Sequence, residues 1–383
     1  MTVHFENAEF ENRMQLLQAQ MKEQNYDALL LFAQESMYWL TGYDTFGYCF
    51  FQCMVVRANG EVTLLTRSAD LRQAQITSIL EDIRVWTDRA GANPAINLRD
   101  LLDELGLLGS HIGIEYDTHG LTASNGRLVD DALKSFAKID DASGVVHGLR
   151  CVKSDAEIAY VKKAAELGDA SFLAALDTIK AGVDEGDVLA AMHDVIFRGG
   201  GDYPANEFII GSGKKALMCR YSSGRQVLKD QDQITLEWAG TYRHYHVAYM
   251  QTVPVGKATP RHKELYAAAH EALLACRDAM VVGNTFGDVF EAHARVMEAH
   301  GLANHRLNAC GYSLGARFTP SWMDGPMFYR DNPAVITPNM VLFAHMIIMD
   351  SDTETAMTLG RTYLTTENGP EDLSKLSLDL EVR

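Results

Sequence analysis

Residues 148–182 read GLRCVKSDAEIAYVKKAAELGDASFLAALDTIKAG, and this stretch divides the chain. Ser154 stands three residues before Glu157, the spacing at which each side chain satisfies the other's backbone N–H at a helix start. Apolar residues at Ile158, Val161, Ala165, Phe172, Leu176 and Ile179 then keep a helical period, and Gly182 is placed to stop it. A helix entered through a cap marks a domain entry, so a boundary is expected at 150/151. Upstream, residues 11–24 read as an amphipathic helix and DALLLFA (27–33) as a buried strand. MVVRANGEVTLLTR (54–67) reads as a hairpin turning at Asn59-Gly60. Helical patterns near 69–82, 97–107 and 123–137, with HIGIEYD (111–117) as a strand, complete an α/β domain over 1–150. Downstream, a helix over 186–198 leads to strand-like EFIIGSG (207–213), ITLEWAG (234–240) and YHVAYMQTVPVG (245–256). Helices over 261–281 and 286–300 lead to strands in MVLFAHMIIMD (340–350) and TAMTLGRTYLTTENG (355–369). Residues 151–383 therefore read as α+β: an antiparallel sheet with helices on one face, and a faint echo between 155–256 and 261–367.

Composition agrees with two packed domains. The chain has 383 residues, 47% hydrophobic and 22% charged, too long for one core and too apolar for disorder. Lys and Arg total 34 against 51 Asp and Glu, a net charge of -17. Such a surface repels phosphate backbones and anionic lipid, so neither nucleic acid nor membrane is expected as a partner. A small zwitterionic or cationic substrate suits it better. The opening MTVHFENAEFENR has no apolar core of the secretory kind, and the apolar run 340–349 is too short to span a bilayer. The six cysteines form no paired zinc-knuckle spacing and read as reduced thiols. A cytoplasmic location is expected.

Chemistry concentrates in EWAGTYRHYH (237–246). Glu237 falls in an otherwise apolar strand, where a carboxylate must be paired, protonated or functional. His244 and His246, two apart, would share a strand face, with Tyr245 on the other; a plain hairpin is the competing reading. His345 lies inside the apolar VLFAHMIIMD, either as a core histidine or as a catalyst. In CRYSSGRQ (219–226), Arg220 or Arg225 could fork a carboxylate or form surface ion pairs. In CGYSLGARF (310–318), Tyr312 stands among small residues that permit close ligand approach. No Walker loop, serine elbow, HExxH helix or dinucleotide-binding glycine motif is present, so no cofactor is implied.

Taken in order, these segments resemble the pita-bread family of creatinases, prolidases and methionine or Xaa-Pro aminopeptidases. MYWLTGYDTFGY (37–48) looks like its creatinase-type N-terminal domain, LRCVKSDAEI like its domain linker, and TTENGPEDLSK (365–375) like its closing strand. The resemblance implies a pita-bread catalytic domain over 151–383. Peptidases of that family hold two metal ions with two aspartates, a histidine and two glutamates. By resemblance those positions are Glu237, Ala248, Tyr312, His345 and a position near Gly360, so a peptidase metal pair is not expected. The sequence is most similar to the metal-free branch containing ectoine hydrolases and creatinase. That likeness implies hydrolysis of a non-peptide C–N bond, such as ring opening of ectoine to N-acetyl-2,4-diaminobutyrate. Glu237 would be nucleophile or base, one of His244, His246 or His345 the proton relay, and Arg220 or Arg225 the carboxylate anchor. Trp238, Tyr245 and Tyr312 would supply cation–π contacts. The family also implies a homodimer with a shared site, whose candidate rim is Tyr43, Phe46, Tyr48 and Phe51; plain core packing is the other reading of that cluster. Three alternatives stand: another guanidine, amidine or dipeptide hydrolase; a single metal rebuilt on Glu237, His244 and His246; and a catalytically dead binding protein.

Overall fold

The computed structural model describes residues 3–383, and the chain divides between Arg150 and Cys151. The N-terminal unit runs α1 (Asn7–Glu23), β1 (Ala28–Leu31), α2 (Gln34–Thr41), β2 (Cys53–Arg57), β3 (Val62–Arg67), α3 (Ser68–Thr77) and β4 (Asp82–Trp86). It continues through α4 (Pro94–Glu104), β5 (His111–Ile114), α5 (Ala123–Leu133), β6 (Lys138–Asp141) and α6 (Ser143–Cys151). Its mixed sheet has the order β4-β3-β2-β1-β5-β6. Strand β1 reads as an unbroken apolar run because both its faces are covered. Ala28 and Leu30 enter one core with Ile112 and Leu98, while Leu29 and Leu31 enter another with Leu17 and Met54. The expected helices 69–82 and 123–137 are shorter in the structure, and β4 and β6 follow them. Both strands lie at sheet edges and carry charged, largely exposed residues, so they lack the apolar signal of a buried strand.

The second unit runs α7 (Asp155–Thr178), α8 (Glu185–Arg198), β7 (Ile209–Ser212), β8 (Asp232–Tyr242), β9 (Tyr245–Val255), α9 (Pro260–Ala279) and α10 (Phe286–Ala299). Strands β10 (Ala309–Ser313), β11 (Asp324–Tyr329), β12 (Val341–Asp350), β13 (Thr355–Thr366) and β14 (Gly369–Asp372) complete it. The sheet order is β11-β10-β12-β13-β9-β8-β7, with β14 beside β13, and the strands pair antiparallel. The Ser154–Glu157 capping box forms as its spacing requires, and Thr259 and Thr285 start α9 and α10 in the same way.

One sheet face is committed to helices. Trp238 donates its indole N–H to the Gly168 carbonyl of α7, and Tyr249 donates its hydroxyl to that of Ala165. Gly168 and Gly240 permit this seating. A Cβ on Gly240 would lie 1.9 Å from the Ala164 carbonyl oxygen, and one on Gly168 would lie 2.2 Å from the Tyr249 ring. Strand β12 contributes Leu342, Ala344, Met346 and Ile348 to the core that α9 and α10 cover. Among the described residues, no helix is long and apolar enough to cross a membrane.

Candidate active site

The opposite sheet face collects the unusual residues, and strand register shows why. Residues directly opposite each other in an antiparallel pair point to the same side. Glu237 is opposite Met250, and Ala239 is opposite Ala248. Met250 is opposite Gly360, Gly360 is opposite His345, and Phe343, two residues from His345, is opposite Tyr312. Glu237, Ala248, Gly360, His345 and Tyr312 therefore share one face across five strands. A cleft of about 530 Å³ opens there, with Glu237 and Tyr312 in its wall and Arg220, Tyr221, Glu207 and Trp322 around them.

Glu237 is 7% exposed, and burial pushes its carboxyl up to about 7, opposed by the Arg220 guanidinium. Glu237 has no hydrogen bond or ion pair among the described residues, so nothing in the protein neutralises the carboxylate by contact. Burial, then the Glu237 carboxylate, raises the Tyr312 phenol well above its ordinary range. The Tyr312 oxygen accepts the indole N–H of Trp322 at 2.9 Å. Burial, with Arg220 in support, lowers His345 to about 4, so the imidazole is neutral near pH 7. The His345 ring packs 5.6 Å from Tyr312, and its Nδ1 is buried without a partner. Arg220 is exposed and, among the described residues, bonds only the adjacent Cys219 carbonyl, which leaves most of its guanidinium for an anion.

Several expected site residues lie elsewhere. Trp238 and Tyr245 face the helices: Trp238 stacks between Phe172 and Tyr249, and Tyr245 donates its hydroxyl to Glu157. Neither is a cation–π wall of the cleft, because neighbours on a strand alternate faces and Trp238 follows Glu237. His244 is not on a strand. Arg243 and His244 form a two-residue turn with φ of 52° and 64°, the conformation that matches strand twist, and the His244 ring stacks on Phe318. His246 does share the face of Glu237, but it is fully buried and its Nε2 accepts the Ala205 N–H at 2.9 Å. Arg225 is exposed outside the cleft, its backbone N–H bound to Glu185. In the N-terminal unit, Tyr43 and Phe51 belong to its cores and Tyr48 is buried, whereas Phe46 is 81% exposed.

The donor set does not fit a metal pair. Two divalent cations need several hard oxygen ligands, and the five positions supply one carboxylate and one imidazole. Among the described residues, no group of three or more His, Cys, Asp or Glu side chains could hold a metal ion. The rebuilt single-metal reading fails as well, since Glu237, His244 and His246 are not brought together. Sequence reading missed Trp322, which touches Tyr312 from ten residues away, and Asn206, whose side chain accepts the Trp322 backbone N–H. Neither has a local pattern that would have revealed it.

A mixed six-stranded α/β unit is followed by a helix-backed antiparallel sheet with a cleft on its open face, a two-domain architecture. Residues 159–367 match metallopeptidase family M24, and residues 13–152 match the creatinase/prolidase N-terminal domain. The chain belongs to family M24, with the pita-bread fold, and is a hydrolase of that family. It is 24% identical to the ectoine hydrolase of Halomonas elongata, over 99% of this chain and 98% of that one. Against the Xaa-Pro dipeptidase of Pyrococcus furiosus it is 25% identical over 65% of this chain and 69% of that one. The prolidase of Thermococcus sibiricus superposes with a TM-score of 0.87 at 17% identity, covering 98% and 99%.

Proposed function

We propose that this chain is a metal-independent hydrolase of a small zwitterion carrying an amidinium or guanidinium, with a cyclic amidine such as ectoine as its substrate. One observation carries the reading: a buried carboxylate without a partner, Glu237, in the cleft wall near an exposed arginine, at positions where a metallopeptidase would need further acidic ligands. Peptide hydrolysis builds negative charge on an oxygen, which a metal or an oxyanion hole must stabilise. An amidinium already carries an electrophilic, positively charged carbon. Binding that cation beside Glu237 supplies the missing charge partner, while Arg220 receives the substrate carboxylate.

The carboxylate of Glu237 removes a proton from water as its oxygen bonds to the amidinium carbon, giving a neutral tetrahedral adduct. The protonated Glu237 then returns that proton to the departing ring nitrogen as the C–N bond breaks. The adduct's hydroxyl proton passes to the released amine, so the products are a neutral amide and an ammonium, and Glu237 is regenerated as the carboxylate. Neutral His345 hydrogen-bonds water or adduct and does not need to change charge. The site would be completed in a homodimer, with Phe46 as the exposed aromatic available to a partner.

The test is proton NMR of ectoine incubated with chelator-treated, metal-analysed protein, with creatine and an Xaa-Pro dipeptide run in parallel. Ring opening to an N-acetyl-diaminobutyrate without metal is expected. Turnover of the dipeptide alone, or turnover only after added metal, would overturn the reading.

A further inference from the structure

Tyr312 and Trp322 are 2% and 1% exposed, so packing holds both rings in place. The phenol oxygen carries one proton and accepts hydrogen bonds at its lone pairs. The Trp322 indole N–H, a donor only, occupies the acceptor side at 2.9 Å. Among the described residues the Tyr312 hydroxyl has no acceptor of its own, and it lies in the wall of the cleft. Trp322 is held in turn. Its backbone N–H donates to the Asn206 side chain at 3.1 Å, and adjacent Ala205 donates its N–H to the buried His246 at 2.9 Å.

The geometry points to Trp322 as a positioning residue that turns the Tyr312 hydroxyl proton into the cleft, towards a nitrogen of the amidinium. This inference rests on the amidine reading above. In the bound cation that nitrogen has no free lone pair and offers only N–H donors, so the phenol gains nothing. When oxygen adds to the carbon, the C=N electron pair retreats onto nitrogen, and a hydrogen-bond acceptor appears opposite the hydroxyl. A donor aimed at an acceptor that exists only after attack lowers the barrier without tightening substrate binding. His246 acts at the far end of the same chain, holding the segment on which Trp322 rests.

The test is a kinetic cycle on ectoine turnover with wild type, Trp322→Phe, Tyr312→Phe and the double variant. Circular dichroism and melting temperature of each variant establish that it is folded. Each single change is expected to lower kcat about ten- to a hundredfold with KM within about threefold, and the double variant should match Tyr312→Phe. Additive losses, or a change in KM alone, would overturn the assignment. A readout independent of turnover separates its failure from that of the substrate reading. The chain has four tryptophans, so the Trp322 indole ¹⁵N–¹H resonance is identified by its loss in Trp322→Phe. In Tyr312→Phe this resonance should move and its proton exchange faster. An unmoved resonance overturns the positioning contact. A moved resonance with no ectoine turnover leaves the contact standing and rejects the substrate.

Discussion

Each unit of this molecule buries a glutamate, Glu115 in the first and Glu237 in the second, 3% and 7% exposed. Burial pushes both carboxyls up to about 7. Glu115 accepts the backbone N–H groups of Phe32 and Ala33 at 3.0 and 2.9 Å and the Ser36 hydroxyl at 2.6 Å. It ties β1 to the start of α2 through these three donors. Glu237 receives no such bond. Depth alone therefore does not separate a structural carboxylate from a reactive one; the inventory of donors does.

The comparison predicts opposite phenotypes. The largest effect is expected for Glu237→Gln, which should lower kcat by about a thousandfold or more while the protein stays folded. Near wild-type turnover in a coupled assay would remove Glu237 from the mechanism. Next in size is the pH profile. The base must be ionised, so kcat/KM should fall about tenfold per pH unit below about 7, and a flat profile from pH 5 to 8 would break the assignment. Glu115→Ala should instead cost about 3 kcal/mol in urea unfolding, because three donors lose their acceptor. Its kcat per folded molecule should stay within about twofold.

The smallest effect sharpens the contrast through its sign. The folded-state pKa of Glu237 is raised from 4.5 to about 7, so its stabilising contribution is full below pH 4.5 and is lost as pH rises through about 7. Glu237→Gln should therefore stabilise the fold at pH 8, by up to about 3 kcal/mol, and give no gain at pH 4.5. Unfolding curves of the two proteins at both pH values check this. A gain at the lower pH only would reverse the sign and refute it.

The sequence revealed much of this because the signals are local. The capping box at Ser154 and the apolar period after it located the second unit's first helix. Glu237 and His345 stood out because each interrupts an apolar strand, a contrast visible without any structure. The errors came from geometry that composition does not encode. Trp238 is expected as a cation–π contact, but it follows Glu237 on the strand and one step reverses the face. His244 would share a face with His246 only on a strand; the competing hairpin reading is the one the structure shows, with Arg243 and His244 in a two-residue turn. Trp322 was passed over because its partner lies across a loop, and only packing brings the two together.

The close seating at Gly240 and Gly168 has a consequence for engineering. Backbone meets backbone on the helix side, so that side accepts almost no change in volume. Ala248 points to the opposite face but is itself fully buried, so added volume there is resisted as well. Room for new side chains is thus confined to the cleft wall around Glu237 and Tyr312. Ala248→Leu should therefore lower the melting temperature, as overpacking of a buried site does, and an unchanged melting temperature would show room beside it.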